Sequence, residues 1–177
     1  MVESIPRSTL GLAAEYAVAA ELCRRGTYAQ LTLGNQKRTD LLVFSESGGL
    51  ARLEVKAKQG RDWPNCRGIC GPNAFLVFVD YQHRASTERP DFYILSSQDW
   101  RDVLEKKVIE IKAAKPKKNI VINDKNIAVF MDEIRSNGRP YEGMGIRSMD
   151  IIDHREKWEK IAEAISDDGP SRGPDGG

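Results

Sequence analysis

Asp40, Glu54 and Lys56 are side chains of the kinds that together handle a divalent cation and a negatively charged substrate. Two carboxylates on neighbouring strands repel unless a cation sits between them. Oxygen ligands of this sort suit Mg2+ or Mn2+ rather than Zn2+. An ammonium two residues from one of the acids can orient a water, assist its deprotonation or neutralise charge on an attacked centre. Taken alone, Glu54 and Lys56 are better explained as the charged, solvated side of a half-buried strand. The chemistry therefore depends on what the chain brings to them.

The elements that must do so are legible. Leu41, Leu42, Val43 and Phe44 form a short apolar run, Ser45-Glu46-Ser47-Gly48-Gly49 supplies turn chemistry, and residues 51–58 alternate. This pattern predicts a β-hairpin. In its second strand Leu53, Val55 and Ala57 share one face, and Arg52, Glu54, Lys56 and Lys58 share the other. Register decides whether Asp40 joins Glu54. An odd-length connection such as residues 45–49 sets Asp40 opposite Glu54, whereas a two-residue turn sets it opposite Val55, on the wrong face.

Asp40 followed by Glu54-Val55-Lys56, with Glu15 on a preceding helix, resembles the PD-(D/E)XK nuclease superfamily. The nearest likeness is to its small restriction-endonuclease-like and Holliday-junction-resolvase-like members, and it spans residues 10–165. Each motif is weak by itself; their order, spacing and strand context are more specific. The residue before Asp40 is Thr39 where the family pattern has a proline. The resemblance implies a metal-dependent endonuclease that hydrolyses DNA phosphodiester bonds in a restriction, repair or junction-resolving role. Asp40 and Glu54 would be metal ligands, with the Val55 carbonyl as a third oxygen. Lys56 would be catalytic, and Glu15 would assist metal or water. Mg2+ or Mn2+ is the implied cofactor, with no small-molecule organic cofactor. DNA is the implied partner, and a homodimer is the arrangement many relatives use.

Helix one is expected to start after Ser8 or Thr9 and to stop at Gly26. Leu12, Tyr16, Ala19, Leu22 and Cys23 fall on one stripe that includes Glu15 and omits Glu21. A carboxylate on a buried face is costly without a partner, which singles Glu15 out. Lys37 and Arg38, in a polar loop leading into Asp40, are candidate phosphate contacts, as is Lys58 on the face of Lys56. Residues 59–73 form a long Gly- and Asn-rich loop. In it Arg61 and Arg67 are candidate nucleic-acid contacts, and Trp63 either stacks on a base or pins the loop to the core. Cys66 and Cys70 lack the further ligands and spacing that a zinc site requires.

Residues 74–79 read as a central buried strand and residues 92–95 as another. Ser96 and Asp99 form a capping-box pair before a helix with Trp100, Val103, Leu104, Val108 and Ile111 on its apolar stripe. The lysines late in that helix suit its C-terminal dipole and backbone phosphates alike. Residues 120–130 suggest a hairpin. From Ser148 onward a last helical region buries Ile151, Ile152, Trp158, Ile161 and Ile165, with His154 on the surface. The fold class expected is α/β: a restriction-endonuclease-like core with a mixed central sheet of about five strands, flanked by helices. The C-terminal helix is expected to close one edge.

The chain has 177 residues, 40% hydrophobic and 30% charged, which fits one compact domain over residues 1–166 and a polar, breaker-rich flexible tail over 167–177. Net charge is +1, with 27 basic against 26 acidic residues, so any nucleic-acid surface must arise from local patches. No apolar run approaches a bilayer span and no signal sequence is evident. Three cysteines at irregular spacing do not form a disulfide framework, and a reducing cytoplasm is the expected setting. Two other functions fit the same residues. One is a non-catalytic nucleic-acid- or protein-binding module that keeps the nuclease fold. The other is an RNA-directed nuclease, since the same metal chemistry serves both nucleic acids.

Overall fold

The computed structural model describes residues 4–32 and 39–166. Its first element is helix α1, Arg7–Arg24, which begins after Pro6 with no side-chain cap and ends at Gly26, whose φ of 76° provides the left-handed turn-off. Ser8 and Thr9 lie inside the helix instead of capping it. The buried stripe also differs from the expected one. Ala14, Val18, Ala19, Glu21 and Leu22 face inward, while Leu12, Tyr16 and Cys23 are exposed. Alanine and other apolar residues surround this helix, so periodicity alone defined no single stripe. The fold selects the side with small residues, which lets the helix lie close on the sheet.

Five strands form the main sheet: β1, Tyr28–Leu31; β2, Leu41–Phe44; β3, Leu50–Lys58; β5, Ala74–Asp80; and β6, Asp91–Ser96. Their order is β1-β2-β3-β5-β6, antiparallel throughout except for the parallel β3–β5 pair. The mixed five-stranded sheet flanked by helices is as expected. All seven residues of β5 are buried, as its continuous apolar sequence requires of a strand covered on both faces.

Strand alternation splits the core in two. On one face Leu41, Val43, Leu53, Val77, Val79 and Ile94 pack against α1 and against α3, Glu159–Ile165. On the other, Leu76, Phe78 and Leu95 pack against α2, Ser97–Ala114. The capping box forms: the Ser96 hydroxyl accepts from the Asp99 N–H, and the Asp99 carboxylate accepts from the Ser96 N–H.

The long loop is more ordered than its composition implies. It contains β4, Trp63–Cys66, which pairs with β10, Met144–Ile146. A third sheet joins β7, Ile120–Ile122, β8, Ala128–Ile134, and β9, Pro140–Glu142, and includes the hairpin expected over residues 120–130. The last helical region is two pieces: a 3-10 segment, Ser148–His154, and then α3. Between them Arg155 bridges to Tyr93 of β6, and Glu156 takes a φ of 56°, which interrupts the helix. Ile152 is consequently exposed, whereas Trp158, Ile161 and Ile165 are buried. α3 lies on the α1 face of the sheet; it does not close an edge.

Candidate functional site

The hairpin register is the one that an odd connection produces. Leu41 pairs with Leu53 and Phe44 with Leu50, leaving residues 45–49 as the connection. Extending that ladder by one step puts Asp40 opposite Glu54. Gly48 has a φ of 92°, and Ser45 Oγ accepts the Gly49 N–H at 2.9 Å, so the turn chemistry read from the sequence closes this loop. Asp40 sits just ahead of β2. Its N–H donates to the Leu53 carbonyl at 2.8 Å, and its Oδ2 accepts the Val55 N–H at 2.6 Å. The carboxylate is thereby fixed against the strand that carries Glu54 and Lys56.

Glu54 is buried at 5% exposure, and its Oε1 accepts from Lys56 Nζ. The other oxygen, Oε2, has no hydrogen-bond partner; it is the one such buried side-chain atom among the described residues. A buried anionic oxygen left unpaired is expensive. Half-buried Glu15 joins from α1. Burial first, and then the charge of Asp40, hold its carboxyl above the usual range. Asp40 is thus coupled to the helix-one acid and fixed to the strand of the Glu54–Lys56 pair. Among the described residues, no three His, Cys, Asp or Glu side chains form a ready-made metal cage. The donors present nevertheless fit a hard cation: carboxylates from paired strands, one with an orphaned oxygen, and no soft ligand able to compete. Cys66 is the neighbouring thiol. Burial pushes it up to about 12, which removes it as a thiolate ligand or nucleophile.

The candidate substrate contacts divide. Lys58, expected to grip a phosphate, is 3% exposed and fully engaged. Its Nζ lies 2.8 Å from Asp80 Oδ2, 3.1 Å from Gln82 Oε1 and 3.2 Å from the carbonyls of Gly60 and Arg61, over the Trp63 ring at 4.5 Å. A buried ammonium with every donor occupied cannot reach a phosphate, so Lys58 is structural. Trp63 is 1% exposed, meets Phe78 and Tyr93 edge-on, and donates its Nε1 to the Lys56 carbonyl at 3.0 Å. Of its two readings the structure selects the pin. Arg61 and Arg67 remain accessible, Arg67 with Glu142 at 3.3 Å. Lys37 and Arg38 lie outside the described residues.

Two features of the site were not evident in the sequence. One is the strut that Trp63 places under the Lys56 backbone. The other is Lys58 pairing with Asp80, which follows from the Lys58↔Asp80 parallel register between strands 22 positions apart in the chain (80 minus 58). An apolar ring five residues beyond the end of β3 was the available signal for the first; nothing local signalled the second.

No protein-family model matches this sequence, and no curated protein matches it. Among solved structures the chain is similar to a bacterial homing endonuclease at 17% identity and a TM-score of 0.46, over 90% of this chain and 95% of that one. No described helix is long and apolar enough to cross a membrane.

Proposed function

We propose that this protein is a divalent-metal-dependent endonuclease that hydrolyses phosphodiester bonds of DNA. The observation that supports this reading is the buried Glu54 carboxylate, with one oxygen on Lys56 and the other unpaired, on the strand that also fixes Asp40. Asp40, Glu54 and the Val55 carbonyl would hold Mg2+ or Mn2+. When bound, such an ion supplies charge stabilisation at phosphorus and a water of lowered pKa. The chain's own residues do the rest. The Val55 N–H orients Asp40. Lys56 donates one N–H to Glu54 and, being partly exposed, retains others for a phosphoryl oxygen whose charge grows toward the transition state. Glu15, held above the usual carboxylate range, is a stronger base than an ordinary glutamate and so suits a role in holding the attacking water.

Plasmid and branched DNA incubated with the protein in Mg2+ or Mn2+ test this. Wild type is expected to nick and linearise the plasmid, and Asp40→Ala and Lys56→Ala to cut at least about 100-fold more slowly. Equal rates in wild type and both variants would remove the enzymatic reading. A second reading, a non-catalytic nucleic-acid- or protein-binding module, draws on the lack of a three-ligand cage among the described residues. It predicts DNA binding that is indifferent to chelator and no cutting by any form.

A further inference from the structure

The turn between β8 and β9 carries a basic tip free of acids; the acids below it on β8, Asp132 and Glu133, are held by Lys118. The β8–β9 ladder runs Val129↔Glu142 and Phe130↔Tyr141, breaks, and resumes at Ile134↔Pro140. The irregularity puts extra residues on β8, and such a bulge bends and re-aims the ribbon beyond it. A tight turn closes the arm. Arg135 N–H donates to the Arg139 carbonyl at 2.8 Å, Gly138 N–H donates to the Arg135 carbonyl at 2.9 Å, and Gly138 has a φ of 75°. The tip reads Arg135-Ser-Asn137-Gly-Arg139, with no acidic residue. Ser136, Asn137 and Arg139 are exposed. Among the described residues no carboxylate forms an ion pair with Arg135 or Arg139, so both charges are available to a ligand.

The root of the arm is fixed to the site. Arg135 lies over the Tyr141 ring at 4.7 Å and donates to the Glu142 carbonyl at 3.1 Å. The Glu142 side chain holds Arg67, which follows β4, and Trp63 of β4 donates to the Lys56 carbonyl. Gly143, at a φ of 120°, abuts the Asn65 backbone, where an added Cβ would stand 2.9 Å from the Asn65 carbonyl carbon. A continuous line of contacts thus runs from Lys56 through β4 to the arm.

We propose that this hairpin is a DNA-reading arm: Asn137 and Arg139 enter the major groove of B-form duplex, and Arg135 and Arg67 hold phosphates on the way to Lys56. The inference rests on the nuclease reading and deepens it by naming the element that reads the duplex and the groove it enters. A two-stranded ribbon fits the B-DNA major groove, about 12 Å wide, but not the deep, narrow groove of A-form RNA. Arginine and asparagine are also the side chains that read guanine and adenine edges.

Fluorescence anisotropy on a labelled DNA duplex and an RNA duplex of the same sequence, in chelator, tests the arm. Wild type is expected to bind the DNA at least about tenfold more tightly than the RNA. The Arg135→Ala/Arg139→Ala double variant should lose about tenfold or more in DNA affinity. Its log K against log salt slope should shrink by about one, since Arg135 is the phosphate contact removed and each such contact contributes roughly 0.9. Arg139→Glu, which leaves the Arg135–Tyr141 contact in place, should show the same loss with an unchanged circular dichroism spectrum. Unchanged affinity and salt slope in both variants would overturn the arm while leaving wild-type cutting, and so the nuclease reading, intact. RNA bound as tightly as DNA would overturn the groove assignment. If wild type binds and cuts no duplex under any condition, both readings fall together.

Discussion

Glu54 bears a burial cost that its own protein offsets only in part. One oxygen is on Lys56 and the other has no partner. Replacing it with glutamine removes the buried charge while leaving Lys56, 29% exposed, able to turn to water. Glu54→Gln should therefore melt about 2–4 °C higher in chelator, corresponding to about 1 kcal/mol for a chain of this size. Wild type should gain about 2–3 kcal/mol of stability in Mn2+ at a hundredfold excess over its dissociation constant, and the variant should gain none. A variant that melts lower in chelator yet keeps the full Mn2+ response would show that Glu54 is not a ligand. Glu15 offers a pH test. Burial and the Asp40 charge raise its carboxyl in the metal-free protein, so Asp40→Asn should lower the Glu15 pKa, read by NMR titration in chelator; an unchanged value would uncouple the two. At this scale the sequence revealed which residue types share a strand face, because alternation is a local property. It did not reveal that Lys58 is consumed by Asp80 and Gln82, because those partners come from another strand and the loop after it.

Helix α1 is fastened at its C-terminal end by charge. Glu21 is buried and accepts from Arg24, Arg25 and Arg89, and Arg89 also holds Glu156 ahead of α3. The hydrogen bonds from Arg89, partly opposed by burial, lower its pKa from 4.5 to about 2. A depressed carboxylate contributes stability that is fully present above its unfolded value and lost as pH falls through the folded one. Stability should thus decline between about pH 4.5 and pH 2, and Glu21→Gln should flatten that decline, read by urea unfolding at several pH values. At neutral pH the same substitution should cost about 2 kcal/mol, below the range for fully buried pairs because Arg89 and Arg25 reach solvent. Helix α2 shows the converse case. Its cap and apolar stripe are written in consecutive residues, and both formed as the sequence implies. The α1 stripe was misread for a physical reason: an alanine-rich helix is apolar on several sides, and only the sheet decides which side it covers.

The sheet couples the two halves of the core. β5 and β6 send alternate side chains into the α1/α3 cluster and the α2 cluster, so neither can be lost without the other. Heat or denaturant should unfold the described chain in a single transition, with calorimetric and van't Hoff enthalpies equal; two resolved transitions would contradict this. The layer order followed from the succession of apolar runs, whereas the β4–β10 ribbon did not, because its partners lie about eighty residues apart and neither has a strand-like sequence. The connection over residues 45–49 then acts as a reading frame for the whole site. Adding or deleting one residue there would rotate Leu41 and Val43 out of the core and carry Asp40 off the side of Glu54. Adding two would preserve both, provided they enter before Gly49, which the Ile165 carbonyl of α3 leaves no room to enlarge. Length changes in this loop should therefore be tolerated in even steps only, tying the permitted sizes of an exposed turn to chemistry one strand away.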